Sequence, residues 1–452
     1  MSTDRKTTTI DEYCSGYMEF LDAAKTEREA VKASLALAKK QGFVPLENTG
    51  APLKPGERIY VNHRGKALIL FVRGRRPLSE GISVAASHLD SPRLDLKMQP
   101  LYESGGLAFL DTHYYGMIKP YQWTGIPLAL HGTLVCKDGR TVELRIGEDP
   151  ADPVFLIADL LPHLSKKQME GYARDLVGAD DLDLLAGTLR QDPEHFAEGD
   201  IKRNLLRILR EKYGLEEADL VSAELSALPA FRARELGLDR SMIAAYGQDD
   251  KVCAYPALTS LFSAEQCEYS SCVILADKEE TGSMGATGMR SPYFSNFIED
   301  LGEREGIPAR KILPPSFCIS ADVNTAWHPL YGDVLDPQGK EARLGNGVIL
   351  FRYWGREGKE NTNEASAETT AALRKILDDA EILWQTGEGG RVGCEESGTL
   401  AHYLAEFGMH SIDLGVPILS MHSPCEAAAK SDVYMMHRSL TAFFKRTISP
   451  ER

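Results

Sequence analysis

Apolar and polar positions along the chain follow two regimes. In the first, short unbroken apolar runs alternate with stretches of helical spacing. Ala67-Leu-Ile-Leu-Phe-Val72, Ile82-Ser-Val-Ala-Ala86 and the run 272–276 read as strands, as do 316–321, 347–353 and 412–421. Runs apolar at every position predict strands covered on both faces, as in a parallel sheet. Residues 10–41 have helical spacing, with Tyr13, Tyr17, Phe20 and Leu21 on one face and Gly42 as the stop. Further helices are predicted over 254–262, 294–303, 367–382 and 432–445. In the second regime, from about residue 98 to 245, short segments alternate residue by residue. Lys137-Asp-Gly-Arg140 sits between two of them as a hairpin turn. The pattern predicts a discontinuous α/β domain over 1–97 and 246–452 with a mainly parallel central sheet, interrupted by a β-rich insertion over 98–245.

Composition narrows the classes. At 452 residues the chain exceeds a single core. A net charge of −15 without a basic cluster excludes sequence-independent nucleic-acid binding. The eight cysteines form no CxxC pair, which fits a reducing compartment rather than a disulfide framework. The leading residues are polar, and no apolar run approaches the roughly 20 residues of a membrane span. A cytoplasmic protein that binds neither nucleic acid nor membrane is expected.

Candidate chemistry lies where the apolar runs stop. Four of them end in potential hard-metal ligands: His88, the Glu279–Glu280 pair, Asp322 and His422. A fifth cluster, with Asp249 and Asp250, precedes a helix. Each ending alone reads equally well as a solvated loop acid or a satisfied core histidine. Four on one sheet converge on one edge, where open α/β sheets bind ligands. Histidines with carboxylates suit Zn²⁺ or a similar divalent ion. Five ligands exceed one open catalytic site and suit two ions about 3.5–4 Å apart sharing a carboxylate, with one glutamate left over as a general base. In an extended chain Asp90 points to the same side as His88 and can orient its ring. HExxH, Walker A and GxSxG sequences are absent, and Gly282-Ser-Met-Gly-Ala-Thr-Gly288 misses the dinucleotide spacing.

Ser87-His-Leu-Asp-Ser-Pro92, Asp249-Asp-Lys251, Glu279-Glu-Thr-Gly-Ser283, Ser320-Ala-Asp322 and Leu419-Ser-Met-His-Ser-Pro424 occur in an order that resembles the M18 metallo-aminopeptidases. This is the family that includes aspartyl aminopeptidase, and the bacterial members look most similar. The resemblance implies a zinc-exopeptidase-like catalytic domain with an inserted dimerisation or lid domain, in dimers that assemble into tetrahedral dodecamers. It implies two divalent ions per subunit, Zn²⁺ first, with Co²⁺ and Mn²⁺ as alternatives. Asp249 would bridge them, His88 and Asp322 would complete one ion, and Glu280 and His422 the other. Glu279 would be the base and Asp90 the orienting acid. His163, in Pro162-His-Leu164, would reach a neighbouring subunit's active site. The expected activity is release of the N-terminal residue of peptides. A di-metal deacylase or carboxypeptidase, and an inactive assembly subunit, are the other readings. Acid-specific members carry a basic residue where this chain has Leu350; Arg352 and Arg356 are nearby, and 393–399 departs from the family's glycine-rich loop.

Overall fold

The computed structural model describes residues 9–191, 197–332, 341–354, 359–360, 362–387 and 398–450. The chain forms two compact units. The first comprises residues 1–90, 233–421 and 426–452, and the second comprises 91–232 and 422–425.

Among the described residues, the first unit is built on a nine-stranded mixed sheet. Its centre is four mutually parallel strands in the order Ser270–Ala276, Ile82–His88, Phe317–Ser320, His410–Gly415. Antiparallel neighbours, Ala67–Val72 on one side and Val348–Phe351 on the other, lead to the sheet's edges. The unbroken apolar runs have the predicted cause. Leu68, Leu70, Val273 and Leu275 face one core with Tyr17, Leu258 and Leu440, while Ile69, Phe71, Cys272 and Ile274 face a second with Phe294 and Ile298. Alternate residues thus enter opposite cores, and both cores demand apolar side chains.

The stretch 10–41 is two helices rather than one, Ile10–Ala23 and Glu27–Lys40. Thr9 with Glu12 and Thr26 with Glu29 each form a capping box, so the second helix has its own start signal inside the apolar pattern. The run 412–421 also divides. His410–Gly415 belongs to the nine-stranded sheet, and Pro417–Leu419 belongs to a five-stranded sheet with Asn324–Thr325 and Glu426–Ala429. Pro417 has no N–H to donate, and the chain changes sheets there. Three apolar strands of the nine-stranded sheet, not four, therefore lead into ligand candidates.

The second unit carries a six-stranded sheet in which every described pairing is antiparallel. Its hairpin pairs Leu128–Val135 with Thr141–Ile146 around the Asp-Gly turn. No described helix is long and apolar enough to cross a membrane.

Candidate metal centre and active site

Three neighbouring parallel strands leave the sheet at one edge. Ala276 is level with His88, and Ser320 is level with Ala86. The residues that follow, Asp90, Glu279, Glu280 and Asp322, are therefore delivered to the same place. His88 is buried, and its Nε2 lies 3.2 Å from Asp249 Oδ1, 3.7 Å from Asp322 Oδ1 and 3.9 Å from Glu279 Oε2. Nδ1 of the same ring is 3.0 Å from the Asp90 carbonyl oxygen and 3.4 Å from Asp90 Oδ1. With a proton on Nδ1 held by that carbonyl, the ring can offer Nε2 to a metal ion. This is the tautomer a metal-ligating histidine needs. Burial opposes protonation of the ring, but the hydrogen-bonding carboxylates Asp249, Asp322 and Asp90 otherwise raise its pKa well above the ordinary value.

Asp249 is positioned through its backbone. Glu426 Oε2 accepts from the N–H groups of Gln248 at 2.7 Å and Asp249 at 3.2 Å. Helical backbone angles begin only after Asp250, as the sequence suggested for a cluster ahead of a helix. Asp250 is directed elsewhere: its Oδ2 accepts from the backbone N–H of His88 at 3.3 Å.

The Asp90 carboxylate accepts from the backbone N–H groups of Glu279 at 3.1 Å and Glu280 at 3.2 Å. Asp90 thus couples the strand bearing His88 to the turn bearing both glutamates. That turn, Glu279–Thr281, is entered through Lys278 at φ 65° and left through Gly282 at φ 84° and Ser283 at φ 57°. Left-handed residues that are not glycine are uncommon and persist where surrounding contacts determine them. Asp277 holds the loop further on by accepting from Thr287 Oγ1 at 2.5 Å.

The charges are crowded. Burial first, then the neighbouring charges of Asp322, Asp90 and Asp249 against an opposing effect of His88, push the Glu279 carboxyl up to about 8. Burial likewise raises Asp322, and burial with the charge of Asp322 raises Asp250. Nε2 of His88 and one oxygen each of Asp249 and Asp322 lie within 4.8 Å of one another, and oxygens of Asp249 and Glu280 lie within the same distance. A buried imidazole among carboxylates whose mutual repulsion holds protons in place is a donor set that fits a hard divalent cation.

His422 lies in the segment 422–425 of the second unit, with φ 62° and Nδ1 2.8 Å from the Met117 carbonyl oxygen. His163 is exposed in a turn of that unit. Leu350 is a core residue, and Arg352 pairs with Glu364 at 3.5 Å. Arg356 and residues 393–397 lie outside the described residues. Reading the sequence did not single out Glu426. Its carboxylate follows the Ser-Met-His-Ser-Pro motif by two residues, but its targets are backbone N–H groups 177 and 178 positions away.

A mixed α/β sheet whose central parallel strands gather a buried histidine and several carboxylates at their carboxyl ends offers the donor set of a metal-dependent enzyme. The chain belongs to the M18 family: the family described as Aminopeptidase I zinc metalloprotease (M18) matches residues 20–444. It is 43% identical over 435 residues, 94% of this chain and 93% of the relative, to a probable M18 family aminopeptidase 1 of Clostridium acetobutylicum. The M18 aminopeptidase crystal structure from Thermotoga maritima superposes with a TM-score of 0.92 at 40% identity, covering 98% of each chain. The S. cerevesiae mApe1 dodecamer shares the fold, with a TM-score of 0.77 at 21% identity over 96% of this chain and 97% of that one. The protein is a metallo-aminopeptidase, a hydrolase of the M18 family.

Proposed function

We propose that the enzyme is a two-metal aminopeptidase in which Asp249 bridges the ions, His88 and Asp322 complete one, Glu280 and His422 the other, and Glu279 is the general base. The observation that carries this reading is the approach of Asp249, Asp322 and Glu279 to one nitrogen of His88, within 3.2–3.9 Å. Divalent ions bound there, most simply Zn²⁺, would acidify a water and polarise the scissile carbonyl. Glu279 takes a proton from the water on its carboxylate oxygen and returns it to the leaving amine. Its environment supports the role, because burial among carboxylates raises the proton affinity of Glu279 above that of an ordinary glutamate. Asp90 steadies the base in two ways, through the His88 ring and through the N–H groups of Glu279 and Glu280.

The same reading makes the protein a cytoplasmic homo-oligomer. The second unit is its dimerisation or lid domain, the assembly is a tetrahedral dodecamer, and His163 serves a neighbouring active site. Leu160, Leu164, Met169 and Tyr172, around His163 in sequence, are 56–73% exposed, as a self-association surface requires. Cys14, Cys136, Cys253, Cys267, Cys272 and Cys318 are buried thiols, in keeping with a reducing compartment.

The test is hydrolysis of Leu, Asp, Glu, Lys and Ala p-nitroanilides with and without Zn²⁺ or Co²⁺, beside the same compounds acylated on the α-amine. Metal-dependent release confined to free amines is expected. Preference for the acylated compounds would instead establish a deacylase. Glu279→Gln should lower kcat by roughly 10²–10⁴-fold, the span of a general base, with metal content unchanged. Near-wild-type turnover in that variant would remove Glu279 from the mechanism.

A further inference from the structure

The turn that carries Glu279 is held at both ends. Asp90 accepts its first two N–H groups. At the other end the Tyr403 hydroxyl donates to the Gly282 carbonyl at 3.2 Å. The amide of Gly282 in turn donates to the Glu279 carbonyl at 2.9 Å, so a short relay through Gly282 joins the tyrosine to the backbone of the glutamate. Both Gly282 and Ser283 are left-handed, and a chain that turns this sharply needs external contacts to select one conformation.

Tyr403 is itself firmly placed. It sits on the helix Ala401–Ala405, close against the His402 ring, with centroids 3.6 Å apart. His402 Nδ1 is 2.8 Å from the Thr399 carbonyl oxygen. Thr399 Oγ1 donates at 2.5 Å to Asp413, which lies on the central strand His410–Gly415. The hydroxyl is therefore referenced to the same sheet that delivers His88 and Asp322.

We infer that Tyr403 is a positioning residue for the aminopeptidase reaction: through the Gly282 carbonyl it fixes the turn that presents Glu279. The inference rests on Glu279 being the base. Tyr403→Phe deletes the hydroxyl and keeps the ring. In the full-length, zinc-loaded enzyme it should lower kcat about tenfold, the effect of one hydrogen bond, with KM and bound zinc unchanged. Combined with Glu279→Asp, which keeps a carboxylate but shortens it, the two losses should be smaller together than their product, since both displace the same group. A kcat within twofold of wild type in Tyr403→Phe overturns the inference. So does a fully multiplicative loss in the double variant, or a fall in bound zinc of the same size as the fall in kcat. Failure of the base assignment shows separately, as turnover retained in Glu279→Gln.

Discussion

Gly415→Ala tests whether the ligand set depends on the packing of two strand ends. Gly415 closes the strand His410–Gly415 and pairs with Ile349. A Cβ placed there would lie 1.8 Å from the carbonyl oxygen of Asp322. Carbon and oxygen in ordinary contact stand at least about 3.4 Å apart, so the two chains must separate by roughly 1.5 Å. Neither has much freedom. Ala321 donates its N–H to Ala86 at 2.7 Å, and Asn324 donates to Val416 at 3.0 Å. The displacement therefore reaches the Asp322 carboxylate and carries it off its present line to His88. Overpacking of this kind costs about 1–3 kcal/mol of stability, and an error of about 1 Å in a positioned group costs about 100-fold in rate. Zinc titration against a competing chromophoric chelator should show one of two sites weakened about 10–100-fold, with kcat/KM reduced about 100-fold. Gly408→Ala is the control: its nearest neighbour would be the Pro314 ring at 4.0 Å, although φ there is 78°, so stability falls slightly and zinc binding stays. A folded Gly415→Ala protein with wild-type zinc affinity and kcat/KM would refute the reasoning.

Two further predictions concern affinity and acid stability. Glu426→Ala removes the acceptor of two buried N–H groups, charge-assisted bonds each worth about 1.5–3 kcal/mol. Zinc affinity should drop at least tenfold, as measured by dialysis against chelator, and unchanged affinity would show that Asp249 is placed without it. Burial above all, aided by Lys445, depresses His437 from its ordinary value near 6.5 to about 4, where its Nδ1 faces Thr259 Oγ1 at 3.0 Å. The unfolded chain then binds the extra proton between these values, so stability is complete above pH 6.5 and is lost as pH falls toward 4. Between pH 6.5 and pH 4.5 the loss from this residue is about 3 kcal/mol at 1.36 kcal/mol per pH unit. Urea melts of wild type and His437→Gln at both pH values should differ in slope by that order, and parallel pH dependences would exclude the residue.

Much of this fold is written locally. The strands 67–72 and 270–276 could be read because two cores constrain every position in them. The ligand candidates could be read because acids and histidines follow apolar strands abruptly. What escaped reading is either local in a subtler way or not local at all. The restart at Thr26 and the change of sheet at Pro417 each have a residue-level signal, overridden in the reading by continuing apolar character. Glu426, Tyr403 and the turn-holding function of Asp90 act on backbone groups more than a hundred residues away. No periodicity reports such bonds, because a backbone N–H looks the same at every position.

The strand order has a consequence for the time in which the protein is made. Asp322 follows His88 by roughly 230 residues in the chain, yet the two side chains lie 3.7 Å apart. At synthesis rates of about 5–20 residues/s, the histidine emerges some 10–50 s before its distant carboxylate. The strand Phe317–Ser320 must also slot beside Ile82–His88 before the donors assemble. On the proposed ligand set, a nascent chain would present isolated donors that bind zinc weakly, and a truncated product ending before Asp322 would not hold the ion as the whole chain does. Tight metal capture would then be a property that the molecule acquires late, after its central strands have met.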